Sequence, residues 1–310
     1  MQVIYFPDAP KPKWPSPIAA LGNFDGLHRG HQQLLEQVRV RAEERGGTAV
    51  AVTFDPHPPQ VLRPDKAPPL LMTLDQKLEA FERAGLAAVA IVRFTRELSQ
   101  WEPETFVERV LIDWLRVSEV WVGENFLFGR DRAGTFTLLR ALGEDRGFRT
   151  EKIEPVRYKE FVVSSTRVRR LIAEGRVDEA GALLGRHYTI DGTVVHGDGR
   201  GRELGFPTAN LDAGSSLLPA FGIYVTLAIV GGVTHPSVTS VGIRPTIGDG
   251  RLMVETYLLD GQHDLYGARL RVAFVSRLRE ERKFDSLDAL RAQIAADCDD
   301  ARAVLARITV

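Results

Sequence analysis

Apolar residues in the first half of the chain follow two alternating patterns. Short continuous apolar runs predict buried strands, whereas apolar residues at every third or fourth position predict helices with one buried face. The strands are predicted at 18–21, 48–54, 87–94, 119–122 and 150–156, and the helices at 32–45, 74–84, 103–115 and 136–146. This alternation, with short loops, predicts right-handed crossovers and a parallel sheet with helices on its faces.

The pattern changes in the second half, after two more predicted helices at 165–174 and 177–184. Short strands then follow one another without intervening helices, at 188–195, 222–229, 237–241, 253–258 and 269–275. Gly231 and Gly232 separate two apolar runs and predict a tight hairpin. Closely spaced strands of this kind predict an antiparallel β-barrel.

A final helix is predicted at 286–306, where Ser286 is a residue type that caps helices. The chain has 310 residues, enough for two domains. We therefore predict an α/β protein with two domains. A Rossmann-like domain with a parallel sheet is expected at 1–185, and an antiparallel β-barrel domain with a terminal helix at 186–310.

Composition narrows the range of partners. The formal net charge is -1 and 44% of the residues are hydrophobic, so the chain has ample core material and no overall charge that would attract nucleic acid or an anionic membrane. The single cysteine, Cys298, excludes an internal disulfide, and no apolar run approaches the roughly 20 residues that span a bilayer. With no secretory signal pattern at its start, the chain is expected to be cytoplasmic and to act on small molecules. The sequence leaves its oligomeric state open.

Two histidines stand in a glycine-rich segment, 22–31, between the first predicted strand and the first predicted helix. His28 and His31 are three residues apart, so their imidazoles point the same way in a first helical turn. A helix N-terminus attracts anions through its free N–H groups and its partial positive charge. The segment therefore suits the phosphates of a nucleotide, although a cap or a polar surface would also account for these residues. A metal site is less favoured, because no third His or Cys is close in sequence.

A second polar cluster, 164–169, opens a predicted helix. Ser164, Ser165 and Thr166 are common helix-capping types, which would explain them without any ligand. Together with Arg169 they also match the donor groups of a phosphate clamp, because a guanidinium offers a rigid fork of donors to phosphoryl oxygens.

A third cluster, 197–210, is rich in glycine and fits neither the P-loop nor the dinucleotide-binding pattern. Its simplest explanation is a hairpin loop in solvent. Thr208 and Asn210, however, are two residues apart, so on an extended strand they face the same side. A hydroxyl and an amide oxygen are ligands suited to Mg²⁺.

Taken together, these motifs resemble those of a known enzyme family. The segment 22–31 resembles the HxGH signature of nucleotidylyltransferases in the variant of bacterial FAD synthetases, and 164–169 resembles their serine-threonine-arginine motif. The segment 205–210 resembles the PTAN motif of riboflavin kinases. Further similarity to that kinase module lies at 254–255, 265–267 and 277–284. Nearly the whole chain is thus similar to the prokaryotic bifunctional riboflavin kinase/FAD synthetases, with the motifs in the same order.

The resemblance implies two reactions that use ATP. The C-terminal domain is expected to phosphorylate riboflavin to FMN, and the N-terminal domain to adenylylate FMN to FAD with release of pyrophosphate. By the same resemblance Glu255 is the base of the kinase, and Thr208 and Asn210 hold Mg²⁺. His28 and His31 are expected to bind the triphosphate and to stabilise charge on the departing pyrophosphate.

The resemblance also implies binding residues for each substrate. The ATP site of the adenylyltransferase is expected to comprise Gly22, Phe24, Asp25, Gly26, His28, His31, Asn125, Ser164, Ser165, Thr166 and Arg169. The ATP site of the kinase is expected to comprise Gly197, Gly199, Gly201, Arg202, Thr208 and Asn210. Flavin is expected to contact Asn125, Phe126, Phe128, Glu255 and Arg279.

Two positions depart from the family's pattern. Tyr257 stands where many relatives have a histidine, and Ser240 stands near a usual asparagine. They bear on kinase rate and flavin affinity rather than on the reaction. Three alternatives stay open: a chain with only one of the activities, a flavin-binding regulatory protein without catalysis, and an HxGH adenylyltransferase for another substrate such as a pantetheine phosphate.

Overall fold

The computed structural model describes residues 1–197, 201, 204–214, 216–243, 252–261 and 264–308. The chain forms two compact units. The first comprises Met1–Pro68 and Thr73–Ser164, and the second comprises Pro69–Met72 and Ser165–Val310. A short segment of the second unit therefore interrupts the first unit in sequence.

The first unit is built around a six-stranded parallel sheet in the order β1-β4-β3-β2-β5-β6. Its strands are β1 (Gln2–Phe6), β2 (Pro17–Leu21), β3 (Thr48–Asp55), β4 (Ala88–Arg93), β5 (Glu119–Gly123) and β6 (Arg149–Ile153). All five residues of β2 are buried. Helices cover both faces of such a sheet, so its central strands are continuous apolar runs.

Helices connect the strands of this sheet. They are α1 (Arg29–Arg45), α2 (Pro58–Leu62), α3 (Leu74–Arg83), α4 (Pro103–Phe106, continued as a π-helix over Val107–Trp114) and α5 (Phe136–Arg146). Short 3₁₀ turns lie at Pro64–Lys66, Leu98–Gln100 and Arg130–Arg132, and a small hairpin, β7 (Arg157–Tyr158) and β8 (Phe161–Val162), follows β6. α3 begins with a capping box: Thr73 Oγ1 accepts from the Gln76 backbone, and the Gln76 side chain accepts from the Thr73 backbone.

The second unit is a closed antiparallel barrel in the order β10-β13-β12-β11-β14-β9. Its strands are β9 (Tyr188–Val195), β10 (Ala209–Asp212), β11 (Gly222–Val230), β12 (Val233–Ile243), β13 (Leu252–Leu258) and β14 (Arg269–Arg279), and its helices are α6 (Ser165–Ala173), α7 (Val177–Leu184) and α8 (Leu287–Leu305). Gly231 and Gly232 join β11 to β12 with φ values of 56° and 83°. These left-handed conformations match the twist of a tight hairpin.

Buried hydroxyl groups pair with one another inside the barrel. Thr226 Oγ1 lies 2.8 Å from Ser237 Oγ and 2.8 Å from Thr239 Oγ1, and Thr239 Oγ1 lies 3.0 Å from Thr256 Oγ1. All four side chains are fully shielded from solvent. Each hydroxyl thus has a partner, as buried polar groups require.

α8 packs against the outer face of the barrel. Cys298 and Ala301 lie in one apolar cluster with Val225, Val238 and Val275. Cys298 is a free buried thiol, and burial raises its pKa to about 11. Within the described ranges, no helix is long and apolar enough to cross a membrane.

The structure confirms the predicted fold class. The elements that the pattern did not predict include β1, α2, β10 as a short strand of its own, and the β7–β8 hairpin. α1 begins at Arg29 rather than at residue 32, because His28 caps it. The domain boundary between 185 and 186 stays a prediction, and α6 and α7 belong to the second unit.

Candidate active sites

The first candidate site lies at the carboxyl edge of the parallel sheet, where the strand order reverses. β3 and β4 extend from one side of β2, and β5 pairs with its other side. Ligands of open parallel sheets bind in the crevice that such a reversal creates beyond the strand ends. The loop after β2, residues 22–28, and the turn after β5, residues 123–126, both leave the sheet at this edge.

The loop after β2 presents the predicted histidine pair. His28 is the N-cap of α1, and its Nδ1 accepts a hydrogen bond from the backbone N of His31 at 3.3 Å. The two imidazoles stack with ring centroids 3.7 Å apart and 14° between their planes. Because Nδ1 accepts, the neutral His28 ring carries its proton on Nε2. A Cβ on Gly30 would come within 3.2 Å of His28 Cε1, so glycine leaves room for the stacked pair.

Phe24 packs under this pair. Its ring is fully buried and meets His31 edge to face, with centroids 5.3 Å apart. Phe24 and Leu27 have φ values of 50° and 38°, a left-handed region that is costly for large side chains, whereas Gly26 at 82° adopts it freely. Strain of this kind persists only where the surrounding structure imposes it, and it is concentrated at functional sites.

His31 is held in its neutral form. Burial, the neighbouring His28 and the charge of Lys77 hold the pKa of His31 well below its ordinary value. In the described part of the chain, the buried Nδ1 of His31 has no hydrogen-bond partner. Buried polar atoms are almost always paired, so a partner from outside the chain, such as a water or a phosphate oxygen, would complete this site.

Asn125 is exposed in the turn after β5, at the same edge of the sheet. The backbone N of Phe126 closes this turn by donating to the Gly123 carbonyl at 3.1 Å. Glu124, beside Asn125, forms an ion pair with Lys152 of β6 at 2.8 Å. The backbone on both sides of Asn125 is therefore held in place.

Phe126 and Phe128 follow the turn and differ in exposure. Phe126 is partly buried and stacks on Phe128 with ring centroids 5.6 Å apart. Phe128 is 7% exposed and belongs to the core of the first unit. Phe126 thus has the more accessible ring of the two, and Phe128 supports it from below.

The serine-threonine-arginine cluster lies where one unit ends and the other begins. Ser164 is the last residue of the first unit, whereas Ser165, Thr166 and Arg169 open α6 in the second unit. Arg169 Nε donates a hydrogen bond to the Pro69 carbonyl at 2.9 Å. Their part in binding the ATP of the adenylyltransferase stays a prediction.

The second candidate site is a cavity of about 680 Å³ on the outer face of the barrel. Strands β10, β12 and β13 form one wall, and α8 with the segment 279–284 forms another. This volume lies in the range of small-molecule sites. The exposed Tyr266, which stacks on His196 with centroids 4.1 Å apart, also lines the cavity.

Asn210, Glu255 and Ser240 form one row across three strands of that wall. Asn210 is directly opposite Glu255 in the β10–β13 pairing, and Glu255 is directly opposite Ser240 in the β12–β13 pairing. Directly opposed residues in antiparallel strands project to the same face, and all three line the cavity. Glu255 is half-buried in the middle of β13, so it is not a carboxylate at an exposed strand end.

Two glycines of the third cluster, Gly197 and Gly201, lie close to the Asn210 and Thr208 side chains. A Cβ on Gly197 would overlap the carboxamide of Asn210, and a Cβ on Gly201 would come within 3.1 Å of Thr208 Oγ1. Glycine at these two positions therefore lets the backbone approach the motif. The predicted residues Gly199 and Arg202 lie outside the described residues.

The donor set of this cavity fits Mg²⁺. Over the described ranges, no group of three or more His, Cys, Asp or Glu side chains could hold a metal ion. A cation here would rely on the Thr208 hydroxyl and the Asn210 amide oxygen. Mg²⁺ accepts so few protein ligands because it retains waters and phosphate oxygens in its coordination shell.

Arg279 reaches the cavity wall in a buried ion pair with Asp297 of α8. Its Nε and Nη2 atoms lie 2.9 Å and 2.7 Å from the Asp297 carboxylate. Gln293 Nε2 donates to the same carboxylate at 2.7 Å. The pair connects β14 to α8 and fixes the position of the Arg279 guanidinium at the cavity wall.

Two residues with a structural link to these sites were not identified from the sequence. Asp297 is one of several acidic residues on α8, and nothing in its neighbourhood in sequence indicates Arg279 as its partner. Lys77 is 6% exposed on α3, although a lone lysine on a helix usually indicates a solvated face. Neither residue stands in a recognisable motif.

Comparison with known proteins assigns both halves of the chain. A family model described as FAD synthetase matches residues 11–167, and one described as riboflavin kinase matches residues 184–305. A bifunctional riboflavin kinase/FMN adenylyltransferase of Pseudomonas fluorescens is 41% identical over 290 residues, 93% of each chain. Enzymes of the same name are 37% identical in Escherichia coli K12, over 90% of each chain, and 36% identical in Listeria monocytogenes, over 94% of this chain and 93% of the relative.

A solved structure shares the architecture over almost the whole chain. It is described as a macrolide-efflux protein from Streptococcus pneumoniae and is 29% identical, with a TM-score of 0.87. The match covers 97% of this chain and 99% of that one. Both units therefore occur together in a chain of similar length.

Proposed function

The chain belongs to the family of bifunctional riboflavin kinase/FMN adenylyltransferases, and we propose that its two reactions occur at two separate sites, one at the carboxyl edge of the parallel sheet and one in the barrel cavity. The C-terminal part phosphorylates riboflavin with ATP to give FMN. The N-terminal part transfers AMP from a second ATP to FMN, which gives FAD and pyrophosphate. The observation that carries the assignment of sites is the row of Asn210, Glu255 and Ser240 in a cavity of the barrel, distinct from the stacked histidines at the sheet edge.

In the kinase reaction, Glu255 is the base that accepts the proton of the ribityl hydroxyl as its oxygen attacks the γ-phosphorus of ATP. A carboxylate suffices for this task because phosphoryl transfer depends mainly on positioning and charge neutralisation. Thr208 and Asn210 would hold Mg²⁺, which when bound neutralises the charge of the phosphates. Gly197 and Gly201 lie close to these two residues, and the glycine-rich segment that contains them is proposed to cover the phosphates.

In the adenylyl transfer, a phosphate oxygen of FMN displaces pyrophosphate from the α-phosphorus of ATP. His28 and His31 bind the triphosphate at the N-terminus of α1, where the helix dipole also favours negative charge. Donors placed there stabilise the charge that grows on the departing pyrophosphate. No covalent intermediate with the protein is needed, because orientation and electrostatics account for the acceleration.

The remaining predicted residues are proposed to bind substrates. Gly22, Phe24, Asp25 and Gly26 shape the loop against the nucleotide, Asn125 and Phe126 contact the flavin of FMN, and Ser164, Ser165, Thr166 and Arg169 bind the β- and γ-phosphates. Arg279 borders the flavin in the kinase cavity.

We further propose a cytoplasmic location, supported by the single unpaired cysteine. We also propose that small molecules are the only ligands that the reactions require.

Two alanine variants test the assignment of sites. His28→Ala is expected to lower FAD formation from supplied FMN by roughly 100-fold and to leave FMN formation unchanged. Glu255→Ala is expected to lower FMN formation by roughly 100-fold or more and to leave FAD formation from supplied FMN unchanged. Chromatography of the flavin products with ATP and Mg²⁺ measures both. If either variant abolished both activities while remaining folded, the separation into two sites would be wrong.

A further inference from the structure

Lys77 is a buried cation on α3 that contacts the loop after β2, residues 22–28. Its side chain is 6% exposed on α3, and its Nζ donates a hydrogen bond to the Asn23 carbonyl at 2.9 Å. The Asn23 carbonyl also accepts from Thr53 Oγ1 of β3 at 3.3 Å. One backbone oxygen of the loop is therefore held from two different elements.

Two carboxylates balance the charge of this lysine. Burial lowers the pKa of Lys77, and attraction to Asp25 and Asp55 opposes that change. Asp25 lies in the loop after β2 and is 3% exposed, whereas Asp55 ends β3. An uncompensated buried ammonium is strongly unfavourable, so the two carboxylates explain why a lysine is tolerated here.

We propose that Lys77 is a positioning residue for adenylyl transfer: its ammonium holds the Asn23 carbonyl and thereby fixes the loop that carries His28 and His31. This inference rests on the proposed function of the histidine pair. Lys77 itself touches no reacting atom. It acts through a loop whose positive φ values at Phe24 and Leu27 require support from the surrounding structure.

The hydrogen bond from Lys77 acts on the middle of a loop whose two ends are also held. Gly22 N donates to the Val52 carbonyl at 3.1 Å where the loop leaves β2, and Gln32 Nε2 donates to the Leu27 carbonyl at 2.8 Å where it enters α1. The bond from Lys77 lies between these two ends. Without it, the middle of the loop would lose its cationic anchor, and a displacement of about 1 Å of catalytic groups can cost roughly 100-fold in rate.

The same chain supplies an internal control, because the kinase reaction does not use this loop. Lys77→Met is expected to lower the kcat of FAD formation from supplied FMN by roughly 100-fold and to raise the KM for ATP in that reaction. FMN formation is expected to stay within twofold of the parent. Lys66→Met, which removes an exposed lysine of the same half, is the matched control and is expected to change neither activity.

A spectroscopic readout separates positioning from a loss of packing. Lys77, His28 and burial act together to keep His31 neutral, so Lys77→Met is expected to move the NMR titration midpoint of the His31 imidazole to higher pH. Lys77→Arg keeps the charge and a donor, and is expected to restore at least about a tenth of the parent FAD formation. Lys77→Gln keeps a donor without the charge and is measured in the same way if the methionine variant fails to fold.

The outcomes distinguish this inference from the function on which it rests. If folded Lys77→Met or Lys77→Gln forms FAD at the parent rate while His28→Ala does not, Lys77 is not a positioning residue and the histidine site stands. If His28→Ala also forms FAD at the parent rate, the proposed site itself is wrong. An unchanged His31 midpoint in Lys77→Gln would overturn the electrostatic link between the two residues.

Discussion

His31 makes the stability of the first unit depend on pH. Its pKa lies well below 6.5 in the folded protein because of burial, His28 and Lys77, whereas the unfolded chain has an imidazole pKa near 6.5. The unfolded state therefore binds the proton first on acidification. The contribution of His31 to the free energy of unfolding is complete above about pH 6.5. This contribution declines as the pH falls from there toward the pKa of His31 in the folded protein.

We therefore predict that acidification lowers the free energy of unfolding less in a variant that lacks the His31 imidazole. Denaturant unfolding at pH 7.5, 6.5 and 5.5 measures it, and His31→Gln is expected to lose less stability between pH 7.5 and 5.5 than the parent. Burial also lowers the pKa of His187, in the second unit, so His187→Gln serves as the comparison. Equal slopes in the parent and His31→Gln would show that His31 titrates normally when folded.

At the scale of elements, one ion pair connects α8 to the barrel. The side chains of Arg279 and Asp297 are 19% and 5% exposed, and their charges face each other in a bidentate arrangement. Removing one partner of such a pair leaves the other charge buried without compensation. The pair also lines the barrel cavity, so α8 forms part of the wall of that cavity as well as part of the fold.

Asp297→Ala is therefore expected to destabilise the protein by about 3 kcal/mol and to raise the KM for riboflavin. Asp299→Ala is the matched control, because Asp299 forms its ion pair with Arg302 in solvent on the same helix. Exposed pairs contribute about 0–1 kcal/mol, so this control is expected to be nearly neutral. Thermal and denaturant unfolding, with riboflavin kinetics, measure both variants. If Asp297→Ala and Asp299→Ala were equally stable, the buried ion pair would not contribute to holding α8 on the barrel.

At the scale of the whole molecule, the second unit includes residues from the first half of the chain. Pro69–Met72 belongs to it: the backbone N of Leu217 donates to the Leu70 carbonyl at 3.2 Å, and the Arg169 side chain donates to the Pro69 carbonyl. Leu71 and Met72 are buried. The segment therefore completes the kinase unit although it lies far from it in sequence.

Leu71→Ala is expected to destabilise the second unit, which contains the kinase barrel. Truncation of a buried leucine costs about 2–5 kcal/mol, so FMN formation is expected to be lost at a lower temperature than in the parent. Leu62→Ala, at a position that is 48% exposed in the same half, is expected to leave that temperature unchanged. Loss of FMN formation at the parent temperature in Leu71→Ala would contradict the membership of this segment in the second unit.

Much of this organisation was predictable from the sequence, for physical reasons that differ between elements. Central strands such as β2 and β4 are buried on both faces, so they appear as unbroken apolar runs, and the pattern finds them. β1 has only one buried residue and therefore no such run. β10 has four residues and is held by its neighbours β9 and β13, contacts between distant parts of the chain that a local pattern does not contain.

The residues of the candidate sites also differ in whether the sequence could identify them. His28, His31, Thr208 and Asn210 stand in short local motifs, so spacing and resemblance identify them. The structural supports of these residues are distant in sequence: Lys77 reaches Asn23 from α3, and Asp297 reaches Arg279 from α8. Such pairs depend on how helices are placed on sheets, which a single sequence does not reveal.

The inclusion of Pro69–Met72 in the kinase unit limits how the gene for this enzyme could be divided. A cut at any single point between the two coding regions would leave the later product without four residues that the earlier product retains. A separate kinase made from this chain would need the segment Pro69–Met72 added to it. Alternatively, the surface near Leu217 and Ser216 that this segment contacts would need substitutions. Truncation alone is therefore not expected to separate the two enzymes intact.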